Sequence, residues 1–387
     1  MTYIKNSFFL FGPRGVGKSA LIKLWLQGNT HSLLIDLLHE KQFLSYLQTP
    51  SRLREEVIAA MERSKRYLTV VVDEIQRLPR LLNEVHSLLE TYPERIRFIL
   101  TGSSARKLKR EGANLLAGRA FVEHLYPFTN REISLPLTSL LQTGTLPKVI
   151  NHPKTSLKFL RTYVETYLKE EIKQEALVRN LDVFVRFLDL AAQLNAEPTN
   201  YSKLAKSIGS THVTVENYFS ILEDTLIVTR INGWSHSVKK QLLQSPRYYF
   251  FDCGVLNALR GELQVMLKPT SYRYGKLFET WILNEIVHIN RYKDFDLKLN
   301  YWRTETGREV DIILSRGYGK PIAAIEIKSS QNPLEEDLKG LLSFEEDYPG
   351  TPLYCFCDAD RPQKKGKILC VPWQEGINKI IPRLAKS

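Results

Sequence analysis

The 387-residue sequence is poor in cysteine and has no long apolar run. Its four cysteines, Cys253, Cys355, Cys357 and Cys370, are few and scattered and lack the spacing of a zinc knuckle, so we expect buried, reduced thiols. No segment approaches the roughly 20 apolar residues of a membrane helix, and residues 1–6 lack the pattern of a signal peptide. These absences predict a cytoplasmic protein with no membrane partner.

The composition is that of an ordinary folded protein, with 43% hydrophobic and 25% charged residues. The length predicts two or three domains, which we place at residues 1–150, 151–270 and 271–387. Lysine and arginine exceed aspartate and glutamate by 54 to 42, and most of the excess lies in residues 1–150. This basic excess favours DNA as a partner without establishing it.

The most specific motif is G-x-x-x-x-G-K-S at residues 12–19. It lies between Phe8–Phe11, which predicts a buried strand, and a run of helix formers. Its glycines let the loop bend until N–H groups point at an anion, and the helix adds the positive end of its dipole. In such a loop Lys18 contacts the β- and γ-phosphates of ATP and Ser19 ligates Mg²⁺. The predicted nucleotide-binding residues are Gly12, Pro13, Arg14, Gly15, Val16, Gly17, Lys18, Ser19, Ala20 and Thr101.

A second strand signal is the β-branched run Tyr67–Val72, which ends in Asp73 and Glu74. A strand that is apolar on both faces belongs in the middle of a parallel sheet, and ligands bind at the carboxyl ends of such strands. We therefore predict that Asp73 holds the Mg²⁺ coordination shell. Glu74 is predicted to orient and deprotonate the attacking water.

Two further sets of residues are candidates for contacts with the γ-phosphate. Arg95–Ser104 predicts a strand that ends with Thr101 and Ser103, whose hydroxyls would bond the γ-phosphate or the water. A polar exit from the strand explains these two residues equally well. Arg119 is a candidate for an arginine that meets the γ-phosphate in cis or across a subunit boundary, and we expect a homo-oligomer, with a ring as one form.

Residues 1–130 resemble the prokaryotic AAA-type ATPases of the extended AAA+ class. The resemblance rests on Phe11–Ser19, Val72–Pro79 and Leu100–Ser104, and on Leu125–Glu132, which is similar to the segment that closes that domain. It implies a P-loop domain that binds and hydrolyses ATP with Mg²⁺.

The middle of the chain predicts helices followed by a strand. Residues 151–195 have the helical spacing of a lid or connector. Thr199–Gly209 and Thr211–Leu222 predict two short helices, and Val228–Trp234 predicts a strand, which together give the order of a winged helix. The predicted contacts to the major groove are Thr211, His212, Thr214 and Asn217, and the predicted contacts to phosphates are Lys239, Lys240 and Arg247. Because the second helix has no lysine or arginine, a packing module without DNA contact remains equally open.

The C-terminal region predicts two strands that carry acidic residues, Glu309–Leu314 and Ile322–Lys328. Residues two apart on a strand face the same way, so Glu326 and Lys328 share a face, and the preceding strand would bring Asp311 beside them. Such a group would bind one Mg²⁺ and hold a water opposite a phosphodiester, with the lysine stabilising the developing charge. The predicted metal ligands here are Asp311, Glu326 and Glu279, the last on a helix at residues 274–290.

This set of residues resembles the PD-(D/E)xK nuclease superfamily, with Asp311 and Glu326-Ile327-Lys328 matching its motif and Glu279 matching its helix. Residues 160–335 also resemble the domain of unknown function that usually follows such ATPases, through the segments Tyr248–Leu256, Gly275–Glu279 and Tyr301–Arg303. Many relatives keep this fold without evident cleavage, so an active nuclease and a structural or DNA-holding remnant both remain open.

Together these signals predict an α/β protein with a P-loop parallel-sheet ATPase domain, a winged-helix middle and an α/β restriction-endonuclease-like C-terminal domain. The first hypothesis is an ATP-hydrolysing AAA+-like protein that acts on DNA and whose nucleotide state repositions the C-terminal arm. The second is an ATP-dependent signalling switch that regulates a protein partner. The third is an ATP-gated, metal-dependent DNA nuclease.

Overall fold

A computed structural model describes residues 6–28, 31–63, 66–103, 106, 108, 116, 118–168, 181–235, 244–317 and 319–386. Lys239 and Lys240 therefore lie outside the described residues. The chain divides into two compact units, of which the first comprises the residues up to Pro127 together with Ile221–Ile227, and the second comprises the rest of the described chain. Within the described ranges, no helix has the length and apolar character needed to cross a bilayer.

The first unit is a parallel sheet with helices. Its elements are β1 (Ser7–Phe11), α1 (Lys18–Gln27), β2 (Ser32–Asp36), α2 (Glu40–Gln48), α3 (Arg52–Glu62), β3 (Leu68–Asp73), α4 (Leu81–Thr91), β4 (Ile96–Gly102) and β5 (Ala120–His124), with a 3₁₀ turn at Ile75–Arg77. The strand order is β2-β3-β4-β1-β5, and every neighbouring pair is parallel. The predicted parallel-sheet P-loop fold is therefore confirmed.

Burial on both faces explains why β3 lies inside the sheet. Val70 and Val72 pack in one apolar cluster with residues of α3 and α4. Val71 points the other way and packs with Phe8 of β1 and Ile22 of α1. A strand that is buried on both faces is typical of a central position in a parallel sheet. Because β4 lies between β3 and β1, the carboxyl ends of all three strands meet at one edge of the sheet.

The remaining elements follow in chain order. They are α5 (Leu137–Thr143), α6 (Pro147–Asn151), α7 (Ser156–Thr162), α8 (Leu181–Gln193), α9 (Tyr201–Ile208), α10 (His212–Asp224), β6 (Val228–Gly233), β7 (Arg247–Phe250), α11 (Cys253–Leu259), α12 (Tyr272–Tyr292), β8 (Lys298–Arg303), β9 (Glu309–Ser315), β10 (Pro321–Lys328), α13 (Lys339–Asp347), β11 (Leu353–Cys357), β12 (Gln363–Lys365), β13 (Ile368–Pro372), α14 (Trp373–Glu375) and α15 (Ile381–Leu384). Short 3₁₀ turns occupy Pro153–Thr155 and Glu335–Leu338, and π-helical turns occupy Tyr163–Leu168 and Gly376–Ile380. The four cysteines are buried and free, as predicted.

The second unit contains a single mixed sheet of eight strands, in the order β12-β13-β11-β10-β9-β8-β6-β7. The β6–β7 hairpin, predicted as the wing of a separate middle domain, joins this sheet through β6. Asn232 and Gly233 of β6 pair in parallel with Asn300 and Tyr301 of β8. The predicted domains 151–270 and 271–387 therefore contribute strands to one sheet, and both strands described in the middle region, β6 and β7, belong to it.

A buried carboxylate fixes the first residues of the second unit to α12. Glu285 is 2% exposed and accepts hydrogen bonds from the backbone N–H of Asn130 at 3.1 and 3.2 Å and from the side-chain amide of the same residue. Burial raises the pKa of Glu285 to about 7, against the opposing effect of these hydrogen bonds. Glu132 adds to this increase and Arg131 reduces it.

This carboxylate predicts a specific pH dependence of stability. Between the ordinary value of 4.5 and about 7, the folded state keeps a proton on Glu285 that the unfolded chain has already lost. The free energy of unfolding should therefore fall as the pH rises through this window. In Glu285→Gln this part of the fall should disappear, whereas Glu305→Gln, at an exposed turn, should keep it. Chemical unfolding across the window measures the slope, and an unchanged slope in Glu285→Gln would contradict the prediction.

Candidate functional site

The phosphate-binding loop follows β1, and its glycines are required for two different reasons. Gly15 and Gly17 have positive φ angles of 85° and 98°, which side chains with a Cβ rarely adopt. A Cβ on Gly12 would lie 2.3 Å from the carbonyl oxygen of Leu125. The backbone of Leu125 is fixed there because its N–H donates to the carbonyl of Phe11 at 2.7 Å. The motif therefore supplies both the turn and a close approach between two backbone segments.

Lys18 places a positive charge inside this loop. It begins α1 and is only 6% exposed. Its ammonium group donates to the carbonyl oxygens of Gly12 at 2.7 Å and Pro13 at 3.2 Å. The N-terminus of α1 lies at the same point, so the helix dipole and the ammonium charge both favour an anion.

Asp73, at the end of β3, gathers hydroxyl groups from two other elements. Ser19 donates from Oγ to Oδ2 of Asp73 at 2.8 Å, and Thr101 at the end of β4 donates to Oδ1. Thr101 also accepts a hydrogen bond from the backbone N–H of Glu74 at 3.2 Å. A carboxylate and hydroxyl oxygens are hard ligands of the kind that Mg²⁺ prefers. These residues therefore fit Mg²⁺, with Ser19 and Asp73 as the groups that would hold it.

Glu74 is positioned by a residue that the sequence analysis missed. Its φ of 59° turns the chain sharply at the end of β3. Gln76 donates from Nε2 to the carboxylate of Glu74 at 2.5 Å and to the hydroxyl of Ser103 at 3.3 Å. A Cβ on Gly102 would lie 2.5 Å from the amide oxygen of Gln76. Gln76 is thus held between two strand ends and fixes the carboxylate of Glu74. The only feature of the sequence that could have indicated this role is its position two residues after Glu74.

Arg119 lies at the opposite edge of the sheet from the phosphate-binding loop. It directly precedes β5, whose first residue, Ala120, pairs with Ser7 at the start of β1. The phosphate-binding loop follows the other end of β1, about 13 Å away along four residues of strand. The guanidinium of Arg119 instead donates to Glu90 near the end of α4 at 2.6 Å. A role for Arg119 at the loop of its own chain is therefore wrong, and a role across a subunit boundary stays a prediction.

A second polar cluster lines a cavity of about 590 Å³ in the second unit. Asp311 on β9, Glu326 and Lys328 on β10 and Glu279 on α12 all line it. The antiparallel pairing of β9 with β10 ends with Ile312 opposite Ile325, and just beyond it the backbone N–H of Ile327 donates to Oδ2 of Asp311 at 2.8 Å. The structure thus brings together the four residues that the sequence singled out in this region.

Two carboxylates of this cavity are buried close to each other. Burial, followed by the charge of Glu279, raises the pKa of Asp311, and burial, followed by the charge of Asp311, raises that of Glu326. Lys328 donates to Oε1 of Glu326 at 2.8 Å, whereas the buried Oε2 has no hydrogen-bond partner in the described part of the chain. A divalent cation would relieve this repulsion and take up the open oxygen. Asp311 and Glu326 therefore fit Mg²⁺.

Glu279, the third predicted ligand of this cavity, already has hydrogen-bond partners. Among the residues described, no three or more histidine, cysteine, aspartate or glutamate side chains are arranged around a point where a metal ion would fit. The oxygens of Glu279 are already engaged, because Tyr249 donates to Oε1 at 2.7 Å and Lys276 to Oε2 at 3.2 Å. Glu279 therefore lines the cavity as part of a hydrogen-bonded network, and its role as a metal ligand stays a prediction.

Arg247 is the buried cation of this network. It is 1% exposed, donates to Glu309, and lies 3.9 Å from Oε1 of Glu279. Its guanidinium also lies 4.4 Å from the centre of the Tyr301 ring. All of β7 is buried, so Arg247 does not reach the surface, and the prediction that it contacts DNA phosphates is wrong.

The helix predicted to read DNA is present as α10, and its polar residues differ in how they are used. Thr211 accepts a hydrogen bond from the backbone N–H of Thr214 at 3.2 Å and so caps the start of the helix. The ring of His212 lies 5.4 Å from that of Tyr201. Asn217 is exposed on the helix surface. Three of the four predicted groove residues, Thr211, His212 and Thr214, therefore have local contacts.

A parallel sheet with a G-K-S loop after its first strand and an acidic pair after a central strand defines a P-loop domain of the ATPase type. The sequence profile of the AAA domain family matches residues 5–134. Profiles of two domains of unknown function, DUF8612 and DUF4143, match residues 136–265 and 274–375. Residues 5–134 thus match an AAA domain, and two domains of unknown function match later parts of the chain.

The relatives found by sequence have no assigned activity either. Uncharacterized proteins of Mycobacterium bovis and Mycobacterium tuberculosis are each 25% identical over 267 residues, which cover 68% of this chain and 59% of the relative. The chain therefore spans about three fifths of the length of these curated relatives. An uncharacterized protein of Haemophilus influenzae is 20% identical over 268 residues, covering 63% of this chain and 66% of the relative.

The similarity to solved structures is weak. The replication initiator DnaA bound to AMPPCP and single-stranded DNA has a TM-score of 0.30 at 12% identity, over 57% of this chain and 83% of that chain. AMPPCP-bound DnaA from Aquifex aeolicus has a TM-score of 0.29 at 13% identity, over 57% and 82%. Similarities at this level assign no function.

Proposed function

We propose that the chain binds and hydrolyses ATP as an AAA+-like protein that acts on DNA, and that its nucleotide state repositions the second unit. The observation that carries the proposal is the convergence of Lys18, Ser19, Asp73 and Thr101 at one edge of the first sheet. This edge offers an anion a buried ammonium group, loop N–H groups and a helix N-terminus together. Ser19 and Asp73 would hold Mg²⁺, which supplies charge neutralisation at the phosphate oxygens.

Glu74 is the proposed general base for hydrolysis. A base must lie at hydrogen-bond distance from the water it deprotonates and must keep one orientation. Gln76 supplies this orientation through its 2.5 Å hydrogen bond to one carboxylate oxygen, and the carboxylate would receive the proton of the water. Thr101 fixes the backbone of Glu74 from the neighbouring strand. The two contacts set the direction of the carboxylate relative to the loop.

The proposed action on DNA rests on the order α9, α10, β6 and β7, a pair of short helices followed by a hairpin. We propose that this region is a winged helix and that Asn217 is its contact to a base, because it is exposed on the second helix. The net charge of +12 favours association with a polyanion. We further propose a homo-oligomer in which Arg119 reaches the nucleotide of a neighbouring copy.

A second candidate function is metal-dependent cleavage of DNA in the cavity of the second unit. The unpartnered Oε2 of Glu326 favours it, because a buried carboxylate oxygen without a donor is suited to a cation. In this function Asp311 and Glu326 would hold Mg²⁺, and Lys328 would stabilise the charge that develops on the phosphodiester. We therefore propose a metal-dependent nuclease as the second candidate function, beside the ATPase that acts on DNA.

One set of assays tests both candidates. We expect single-stranded, duplex or branched DNA to raise ATP turnover, and DNA binding to weaken with salt and to survive Asp311→Ala. If no form of DNA binds at low salt, the action on DNA is refuted and a signalling switch that regulates a protein partner takes its place. If DNA is cut with Mg²⁺ or Mn²⁺, cleavage should be lost in Lys328→Ala and kept in Lys320→Ala, which changes an exposed lysine directly before β10. ATP turnover should be unchanged in both variants.

A further inference from the structure

Two side chains at the mouth of the cavity have no part in the proposed chemistry. Tyr272, at the start of α12, lines the cavity and is 75% exposed. Arg308 lines it from the turn between β8 and β9 and is also exposed. Within the described residues, the guanidinium of Arg308 makes no ion pair or hydrogen bond. An aromatic face and a free cation therefore border a cavity whose floor carries Asp311, Glu326 and Lys328.

The ring of Tyr272 is held in place although most of it is exposed. Its hydroxyl donates to Glu197 at 2.8 Å. Lys276 pairs with the same carboxylate at 3.0 Å and lies 5.8 Å from the centre of the ring. An exposed aromatic ring that is fixed by its polar end has little conformational entropy left to lose when a ligand binds. Tyr272 is thus prepared to bind a flat apolar group.

Arg308 is likewise presented by an ordered turn. Its backbone N–H donates to the hydroxyl of Thr304 at 3.0 Å, and its carbonyl accepts from the N–H of Thr304 at 2.9 Å. Gly307 has a φ of 87°, which gives the turn its shape. The side chain therefore projects from a fixed backbone, and a guanidinium in this position is suited to a phosphate.

The floor and the mouth of the cavity match different parts of a nucleotide. The floor suits a phosphodiester with its metal ion, the guanidinium suits a further phosphate, and the ring suits a base. In an intact duplex each base is covered by its neighbours and cannot offer a face to a protein ring. Only an unpaired base can stack on Tyr272.

We propose that Tyr272 and Arg308 select single-stranded DNA at this cavity, with Tyr272 stacking on an unpaired base and Arg308 binding the phosphate backbone. The inference rests on the proposed action on DNA and adds to it the form of DNA that is bound. The ligand class is a single strand or a frayed end, and an intact duplex is excluded from this contact.

Affinities of the full chain for a labelled single-stranded oligonucleotide and for its duplex test the proposal. Tyr272→Ala should weaken single-strand binding by about 5- to 150-fold, as expected for the loss of one stacked base, and leave duplex binding unchanged. Tyr272→Phe keeps the ring and should keep most of the affinity. Arg308→Gln should weaken single-strand binding and lower its dependence on salt by about one phosphate contact.

Matched controls lie at the other end of the same helix. Arg291→Gln and Tyr292→Ala remove the same chemistry about 30 Å away along α12, and both should bind like the wild type. An oligonucleotide with an abasic site at the stacked position should bind the wild type and Tyr272→Ala equally. If Tyr272→Ala lost affinity for single strand and duplex equally, or lost none, the inference would be overturned while the action on DNA stayed intact. Failure of the wild type to bind any DNA would instead refute the proposed function itself.

Discussion

Lys18→Ala is expected to abolish ATP binding, and Glu74→Gln is expected to keep binding while lowering hydrolysis by about 100- to 10,000-fold. The ammonium group of Lys18 is the buried charge that the loop offers to the phosphates, and alanine leaves only neutral N–H groups. Glutamine at position 74 keeps the size of the side chain and its contact with Gln76 but cannot accept a proton from water.

The two variants separate binding from chemistry when nucleotide affinity and phosphate release are measured on the same samples. Lys23→Ala is the control for the first, because this lysine is exposed on α1 away from the loop. Glu94→Gln is the control for the second, because it removes an exposed carboxylate after α4. Tight binding by Lys18→Ala would contradict the assignment of the loop. Hydrolysis at the wild-type rate by Glu74→Gln would remove Glu74 from the reaction.

Arg247→Ala should be among the most destabilising single substitutions in the second unit, with a loss of about 3–5 kcal/mol in the free energy of unfolding. The substitution takes away the cation that faces Glu309 and Glu279 and leaves both carboxylates without it. It also empties the space beside the Tyr301 ring. Replacing the pair by apolar and neutral groups, as in Arg247→Met with Glu309→Gln, should recover part of the loss.

Arg303→Met is the matched control, because Arg303 pairs with the same Glu309 at 3.2 Å but is 46% exposed. Arg303→Met should lower the free energy of unfolding by no more than about 1 kcal/mol, as for surface ion pairs. Tryptophan fluorescence during chemical unfolding reports mainly on the second unit, because only Trp25 of the five tryptophans belongs to the first. If Arg247→Ala and Arg303→Met lower the free energy of unfolding equally, the burial of Arg247 does not add to its contribution to stability.

The parts of the fold that the sequence predicted well are those in which the decisive residues are close together in the chain. The G-K-S loop, the strand that ends in Asp73 and the shared face of Glu326 and Lys328 all follow from short patterns. The contact between Ser19 and Asp73 required only that two strands be parallel, and the alternation of strands and helices predicted that.

The errors concern contacts between residues that are far apart in the sequence. Arg119 was placed near the wrong edge of the sheet because its position depends on the register of β5 against β1. The burial of Arg247 depends on partners at positions 279 and 309, and nothing in the sequence around Arg247 indicates them. Glu279 lies at the predicted cavity, but its donors, Tyr249 and Lys276, decide that it is engaged in hydrogen bonds.

The pairing of β6 with β8 has a practical consequence for dissecting the protein into pieces. A gene fragment that stops at residue 270 would leave β6 without the strand beside it, and a fragment that starts at 271 would open β8 in the same way. Bare strand edges of this kind recruit other chains and promote precipitation. A cut after Pro127 leaves both sheets whole, and a fragment that ends there lacks only Ile221–Ile227 among the described residues of the first unit.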